Sequence, residues 1–222
     1  MFDRISPRYD LLNRILSFHS DTRWRAQALD DLDLKQDAMV VDLGAGTGDL
    51  AFEAARRVRP NGMVVGVDIS ERMIMVAVEK RGRHPGKTEF VLASGLSLPF
   101  LSGTFDAAVS AFVLRNVTDF ALFFREAHRV LKRGGKFLSI EMFRPKGKLF
   151  APIYLFYFYR LIPFIGGLLG SDREAYRYLA QSVKDFRTPG EVAADLSREG
   201  LRRVSVREVL GGAVCFHMAV KD

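Results

Sequence analysis

Met39-Val40-Val41-Asp42-Leu43-Gly44-Ala45-Gly46-Thr47-Gly48-Asp49-Leu50 is the stretch that decides how this chain is read. Apolar residues and one carboxylate lead into three glycines at alternate positions, and a helical pattern starts at Asp49. That is a buried strand turning sharply into a helix. Glycine suits the turn because it adopts dihedrals other residues resist and lets a ligand approach the backbone. A second apolar run, Met63-Val64-Val65-Gly66-Val67, ends in Asp68, twenty positions beyond Gly48. An acid at the tip of the second strand, at about this separation, is placed to grip a ribose diol. The core therefore reads as a nucleoside-binding α/β unit.

The glycine spacing narrows the nucleoside. A dinucleotide site uses G-x-G-x-x-G and aims a helix N-terminus at a pyrophosphate. Here the order is Gly44-x-Gly46-x-Gly48 with Asp49 at the helix start and Asp42 close by. Two carboxylates repel a pyrophosphate and suit a cationic ligand such as S-adenosylmethionine, which carries a sulfonium and an ammonium. The D-x-G-x-G-x-G pattern resembles motif I of the class I methyltransferases. A tight turn with no ligand is the plainer alternative, and a glycine-rich turn alone is a weak signal. Strand, turn, helix and second acid together favour the ligand.

At 222 residues the chain is one domain, or one domain with a cap. The single Cys215 excludes a disulfide framework and fits a reducing cytoplasm. No charged-then-apolar leader opens the chain, so a cytoplasmic location is expected. A net charge of +7 and a pI near 9.7 suit an anionic partner, either nucleic acid or anionic lipid, or simply a solubilising surface. The basic groups are scattered and not interleaved with aromatics, which disfavours nucleic acid. The histidines lack metal-ligand spacing, so no metal is expected.

Taken in order, residues 1–35 read as an N-terminal helical lid, with helical spacing after Asp10 and a second helix over Trp24–Leu32. The lid either packs on the core or contributes Tyr9, Asp10, Asn13 and Trp24 to a site; its composition is even between the two. Strands are expected at Ala38–Leu43, Met63–Asp68, Glu89–Ala93, Phe105–Ala111 and Lys136–Glu141. Helices are expected at Asp49–Val58, Ser70–Lys80 and Asp119–Leu131, the last stopped by Lys132-Arg133-Gly134-Gly135. The alternation implies a parallel sheet with right-handed crossovers. Residues 145–190 read as an inserted cap. Its aromatic part, Leu149–Gly170, is long enough to raise a membrane span, but Pro152, Arg160, Pro163 and Gly166-Gly167 argue against one. The run Tyr154–Tyr159 is either core or the access route for a polyprenyl tail. A helix from Arg173 to Phe186, another opened by Pro189 and two closing strands, Arg202–Val209 and Ala213–Val220, complete the chain.

Several stretches resemble one family, the C-methyltransferases of menaquinone and ubiquinone biosynthesis. They are Phe2…Tyr9-Asp10…Asn13…Ser17, Trp24-Arg25, the glycine turn, Asp68-Ile69, Leu98-Pro99-Phe100, Phe105-Asp106 and Leu114-Arg115-Asn116-Val117-Thr118-Asp119. Arg129-Val130-Leu131-Lys132 with Gly134-Gly135, Tyr176-Arg177-Tyr178-Leu179 with Ser182 and Phe186, and Gly211-Gly212-x-Val214-x-x-His217 follow. The Leu-Arg-Asn-Val-Thr-Asp segment is the most specific. Ser94 stands where the family usually has Asn or Asp, and Leu210 where it has Thr.

The resemblance implies a seven-stranded, mostly parallel Rossmann-like sheet closed by an antiparallel pair. It implies S-adenosylmethionine as cofactor, with S-adenosylhomocysteine as product. Asp42, Gly44, Ala45, Gly46, Thr47, Gly48, Asp68, Ile69, Met73, Ser94 and Gly95 would hold the cofactor. It further implies C-methylation of demethylmenaquinol, the ubiquinone-pathway step being the rival, and another lipid or small aromatic acceptor comes next. A cofactor-binding module without turnover is the non-enzyme alternative. Arg115 is expected to stabilise a phenolate, with Asn116 and Tyr9 ordering a water that carries the proton. The plainer role for Arg115 is an ion pair with Asp119, four positions on. Asp10, Asn13, Trp24, Tyr178, Ser182, Phe186 and His217 are the substrate set. A polyprenylated acceptor implies a peripheral contact with anionic membrane, and a homodimer is left open.

Overall fold

The computed structural model describes residues 14, 17, 19–147, 150–157, 178 and 181–222. Helices and strands alternate as the apolar periodicity requires: α1 (Ser20–Leu32), β1 (Met39–Leu43), α2 (Asp49–Val58), β2 (Met63–Asp68), α3 (Glu71–Arg81) and β3 (Lys87–Leu92). After β4 (Phe105–Ala111) a single 3-10 turn (Leu114–Asn116) leads to α4 (Phe120–Val130) and β5 (Leu131–Met142). Then come α5 (Phe150–Phe156), α6 (Pro189–Arg198), β6 (Leu201–Val209) and β7 (Val214–Lys221). The sheet order is β3-β2-β1-β4-β5-β7-β6. β1 to β5 run parallel, and β7 inserts antiparallel between β5 and β6. The expected antiparallel finish is therefore present.

Alternation along the strands splits the core into two layers. Val41, Leu43 and Phe137 face one side, where they pack with Phe124 of α4 and Leu196 of α6. Val40, Val109 and Ile140 face the other, against Leu29 of α1 and Ala54 of α2. Asp42 shares parity with Val40 and so points to the α1/α2 layer. Glu141 shares parity with Phe137 and points to the α4/α6 layer.

Helix starts follow local chemistry. Ser70 accepts from the Met73 N–H at 3.3 Å, and Asp119 from the Leu122 N–H at 2.9 Å. Thr188 and Glu191 form a capping box in front of Pro189. Three element starts differ from expectation by more than one residue. α1 begins at Ser20, four residues before Trp24, as the chain leaves left-handed His19. β3 begins at Lys87, because Lys87 already pairs with Met63. The stretch Lys132–Gly135 does not terminate a helix; it lies inside β5. Leu131 already pairs with Phe105, and left-handed Gly134 sits where the register shifts between Phe105 and Ala107. Lys132 Nζ then pairs with Asp106 at 2.8 Å.

Residues 1–13, 15, 16 and 18 of the expected lid lie outside the described residues, as do residues 148, 149, 158–177, 179 and 180 of the expected cap, among them half of the helix expected over Arg173–Phe186. Among the described residues no helix is long and apolar enough to cross a membrane.

Candidate functional site

The carboxyl ends of β1, β2 and β4 meet where the chain leaves β1 in opposite directions along the sheet, the place where open α/β sheets take ligands. A cavity of about 250 Å³ opens there, walled by the glycine turn, the tip of β2 and the 3-10 turn after β4. Gly44, Gly46, Asp68, Ile69, Met73, Ser94 and Gly95 of the expected cofactor set line it.

The glycines divide into two roles. All three have left-handed φ, +74° at Gly44, +54° at Gly46 and +87° at Gly48. A Cβ on Gly44 would strike Val113, and one on Gly48 would lie 2.7 Å from Phe52 and 2.9 Å from Phe90. At Gly46 it would meet nothing within 4 Å, because that position faces the cavity. Two glycines thus close the packing and one admits a ligand. The Gly44 and Ala45 N–H groups both donate to Val67 O, at 2.8 and 2.9 Å, which ties the turn to β2.

Asp68 accepts from the Gly46 N–H at 2.8 Å and from the Ser70 N–H at 2.9 Å. These two bonds hold the carboxylate in place at the cavity wall. Ile69, 76% exposed beside it, presents an apolar face to the cavity. Ser94 Oγ accepts from the Leu96 N–H at 3.1 Å and so shapes the neighbouring loop.

Asp42, Ala45, Thr47 and Gly48 do not line the cavity as expected. Ala45 and Thr47 are buried in the turn, and Gly48 is packed as described. Asp42 is enclosed behind the turn, and burial pushes its carboxyl up to about 8. Arg25 opposes that shift, while Asp68 and Asp49 add to it. Neither Asp42 oxygen reaches hydrogen-bond geometry with a partner, although the Ala51 N–H of α2 also draws the value down. Asp49 corrects the electrostatic reading of the turn. It pairs with Lys80 Nζ at 2.7 Å and lies 3.8 Å from Arg14, so its charge is balanced by these two cations. Lys80 leads the charges that pull its carboxyl below the ordinary value, against a larger upward push from burial.

Asn116 lines the cavity, and Arg115, its neighbour in the 3-10 turn, does not. Arg115 does not pair with Asp119, which caps α4; its guanidinium pairs with Glu141 at the end of β5. The side chains are 4% and 0% exposed. Burial pushes Glu141 up, and Arg115 pulls it back. The Arg115 Nε is buried without a partner. Glu141 carries no role in the sequence reading, yet one signal was available: a carboxylate at the end of an apolar central strand. Phe112, another cavity residue, takes a left-handed φ of +62° that no sequence feature announces.

The substrate set is scattered. Tyr178 OH donates to Asn116 Oδ1 at 2.9 Å. Phe186 packs on Phe143, with centroids 5.3 Å apart, and His217 on the same ring at 5.5 Å. His217 is enclosed, its Nε2 lying 3.0 Å from Pro189 O, so that nitrogen carries the proton. Burial holds the ring below the ordinary histidine range, against that bond. Trp24 packs in the α1/α2 core instead of the cavity wall, and half-buried Ser182 does not line the cavity. Tyr9, Asp10 and Asn13 lie outside the described residues. Among the described residues no group of histidines, cysteines and acids could hold a metal.

Residues 1–221 match the profile of the ubiE/COQ5 methyltransferase family. The ubiquinone/menaquinone biosynthesis C-methyltransferase UbiE of Syntrophotalea carbinolica is 43% identical over 222 residues, covering all of this chain and 93% of that protein. The demethylmenaquinone methyltransferase of Thermus thermophilus is 41% identical over 200 residues, 90% of each chain. Among solved structures, a SAM-dependent methyltransferase from Aquifex aeolicus superposes with a TM-score of 0.66 at 21% identity, covering 89% of both chains, a likeness of fold.

Proposed function

The chain belongs to the ubiE/COQ5 methyltransferase family, and on that footing we propose that it C-methylates the ring of demethylmenaquinol, the last step of menaquinone biosynthesis. The observation that carries this reading is the meeting of Gly46, Asp68 and Asn116 in one cavity. The first two suit a nucleoside, and the third belongs to the family's most specific segment. S-Adenosylmethionine is the cofactor, and when bound it supplies an electrophilic methyl on its sulfonium. Gly46 offers the room for it, Asp68 the acceptors for its ribose, and Ile69 the apolar face beside them.

A hydroquinone carbon is a weak nucleophile until the neighbouring hydroxyl ionises. Arg115, buried next to Asn116, contributes a positive charge that persists on burial and favours the phenolate. Glu141 holds that guanidinium in place. Asn116 engages its carbonyl with Tyr178, leaving its amide N–H donors for an acceptor oxygen or an ordered water. Tyr9 joins them in this proposal, with Asp10 and Asn13 beside the acceptor. Holding acceptor and donor in line contributes up to roughly 7–11 kcal/mol in ideal cases.

A polyprenylated acceptor resides in lipid. We therefore place the enzyme in peripheral contact with anionic membrane, where a net charge of +7 is attractive. A ubiquinone-pathway benzoquinol is the second reading, favoured by relatives named for both quinones.

The test is methyl transfer from labelled S-adenosylmethionine to a short-tailed demethylmenaquinol kept reduced, beside the oxidised quinone and a demethylated benzoquinol. Label in the reduced naphthoquinol is expected. Label only in the benzoquinol would move the enzyme to the other pathway, and none in either would sink the quinone assignment.

A further inference from the structure

Gly46, Asp68 and Ile69 form the nucleoside wall of the cavity, and the connection after β4 contributes Asn116, Val117 and Thr118. That connection is held at both ends. The Asn116 N–H donates to Val113 O at 2.8 Å, and the Val117 N–H to Leu114 O at 3.0 Å. On the far side Asp119 accepts from the Leu122 N–H at 2.9 Å, which pins it to the start of α4. Asn116 and Thr118 are thus presented from a fixed backbone, with Val117 extended between them at φ −78° and ψ 127°. Two residues of extended chain span about 6–7 Å.

Ala111, Phe112, Val113, Val117 and Phe123 make much of the lining apolar. A few polar groups in an apolar pocket fix the orientation of its ligand. Asn116 has its carbonyl on the Tyr178 hydroxyl at 2.9 Å, which leaves its NH2 group to a ligand. Thr118 is exposed, and among the described residues no hydrogen bond engages its hydroxyl. A hydroxyl both donates and accepts, so it serves a neutral phenol in either direction.

The acceptor proposed above carries two hydroxyls on opposite sides of one six-membered ring. Their separation is of the order of the reach from Asn116 to Thr118. When the oxygen beside the reacting carbon ionises near Arg115 and Asn116, the other stays a neutral hydroxyl. Enclosed without a partner, that hydroxyl would oppose binding.

We propose that Thr118 binds the hydroxyl para to the ionising one, so that Asn116 and Thr118 grip the ring at both oxygens and fix which carbon meets the methyl. This rests on the quinol reading above. It gives Thr118 a place in acceptor binding and makes the site selective for a para-dihydroxy ring.

The test is steady-state methyl transfer by wild type, Thr118→Val and Thr118→Ser with two compounds. One is short-tailed demethylmenaquinol kept reduced; the other is the same naphthol without the far hydroxyl. The second is read by its KM or, where it is not methylated, by its inhibition constant against the quinol. Thr118→Val keeps the side-chain shape and removes the hydroxyl. Its KM for the quinol is expected to rise roughly two- to tenfold, the range of one hydrogen bond between neutral groups. Thr118→Ser should stay close to wild type. For the single-hydroxyl compound wild type and Thr118→Val should be equal, and both should bind S-adenosylhomocysteine equally in calorimetric titration. An unchanged KM for the quinol overturns the proposal, as does an equal rise for both compounds. Loss of S-adenosylhomocysteine affinity in Thr118→Val moves the residue to the cofactor and also overturns it. Wild type that binds S-adenosylhomocysteine but does not methylate the quinol overturns the quinol reading itself, an outcome seen before any substitution.

Discussion

Gly46 and Asp42 show how much one residue's surroundings decide. Gly46 alone of the three turn glycines faces open space, so a methyl added there competes with a ligand and with no neighbour. Gly46→Ala is expected to cost about 1 kcal/mol of stability from its left-handed φ while lowering cofactor affinity; thermal unfolding and calorimetric titration read the two separately. Gly44→Ala would instead push against Val113 and act on the fold. Asp42 has a linkage signature. Its folded value of about 8 lies above the unfolded value of 3.8. Between those limits the native state keeps a proton that the unfolded chain has lost, so stability falls as pH rises through the window. The depressed His217 has the opposite slope, so the comparison must be with Asp42→Asn. Urea denaturation at about pH 5 and about pH 8 should show wild type losing stability relative to that variant. A parallel pair of curves would mean that Asp42 is ionised in the native state.

At the scale of elements, α4 connects packing to the site. Asp119 caps it immediately after the 3-10 turn that carries Arg115 and Asn116. Asp119→Ala should cost about 1 kcal/mol in a denaturant titration, and a helix start that frays there should also raise KM for the acceptor. The i,i+4 spacing of Arg115 and Asp119 is legible in sequence and misleading. The N-cap geometry turns Asp119 toward its own helix, while Arg115 reaches across to β5. Element boundaries were readable where an apolar run met a cap, as at Ser70 and Thr188. They were misread at Lys132–Gly135, where pairing with β4 carries a glycine-rich stretch into a strand.

Across the whole molecule, the buried pair Arg115–Glu141 joins the connection after β4 to the end of β5. Breaking it from one side leaves a buried charge. Glu141→Leu alone is therefore expected to destabilise by about 3–5 kcal/mol, whereas Arg115→Met with Glu141→Leu should be close to neutral. The double variant should fold and bind S-adenosylhomocysteine but lose methyl transfer. If it turns over normally, the pair is structural only.

The sequence by itself determined the strand–turn–helix at Gly44–Gly48, the second acid at Asp68 and the alternation that builds a parallel sheet. Each follows from local rules of periodicity and backbone freedom that act over a few residues. Only the tertiary structure decided which glycine faces the ligand, that Asp49 is balanced by Lys80, that Arg115 meets Glu141, and that Thr118 lines the same cavity as Gly46. Those depend on which face a side chain takes and what another element brings to it. The physical reason is that charge and burial are set by neighbours distant in sequence, and a spacing rule along the chain cannot see across the sheet.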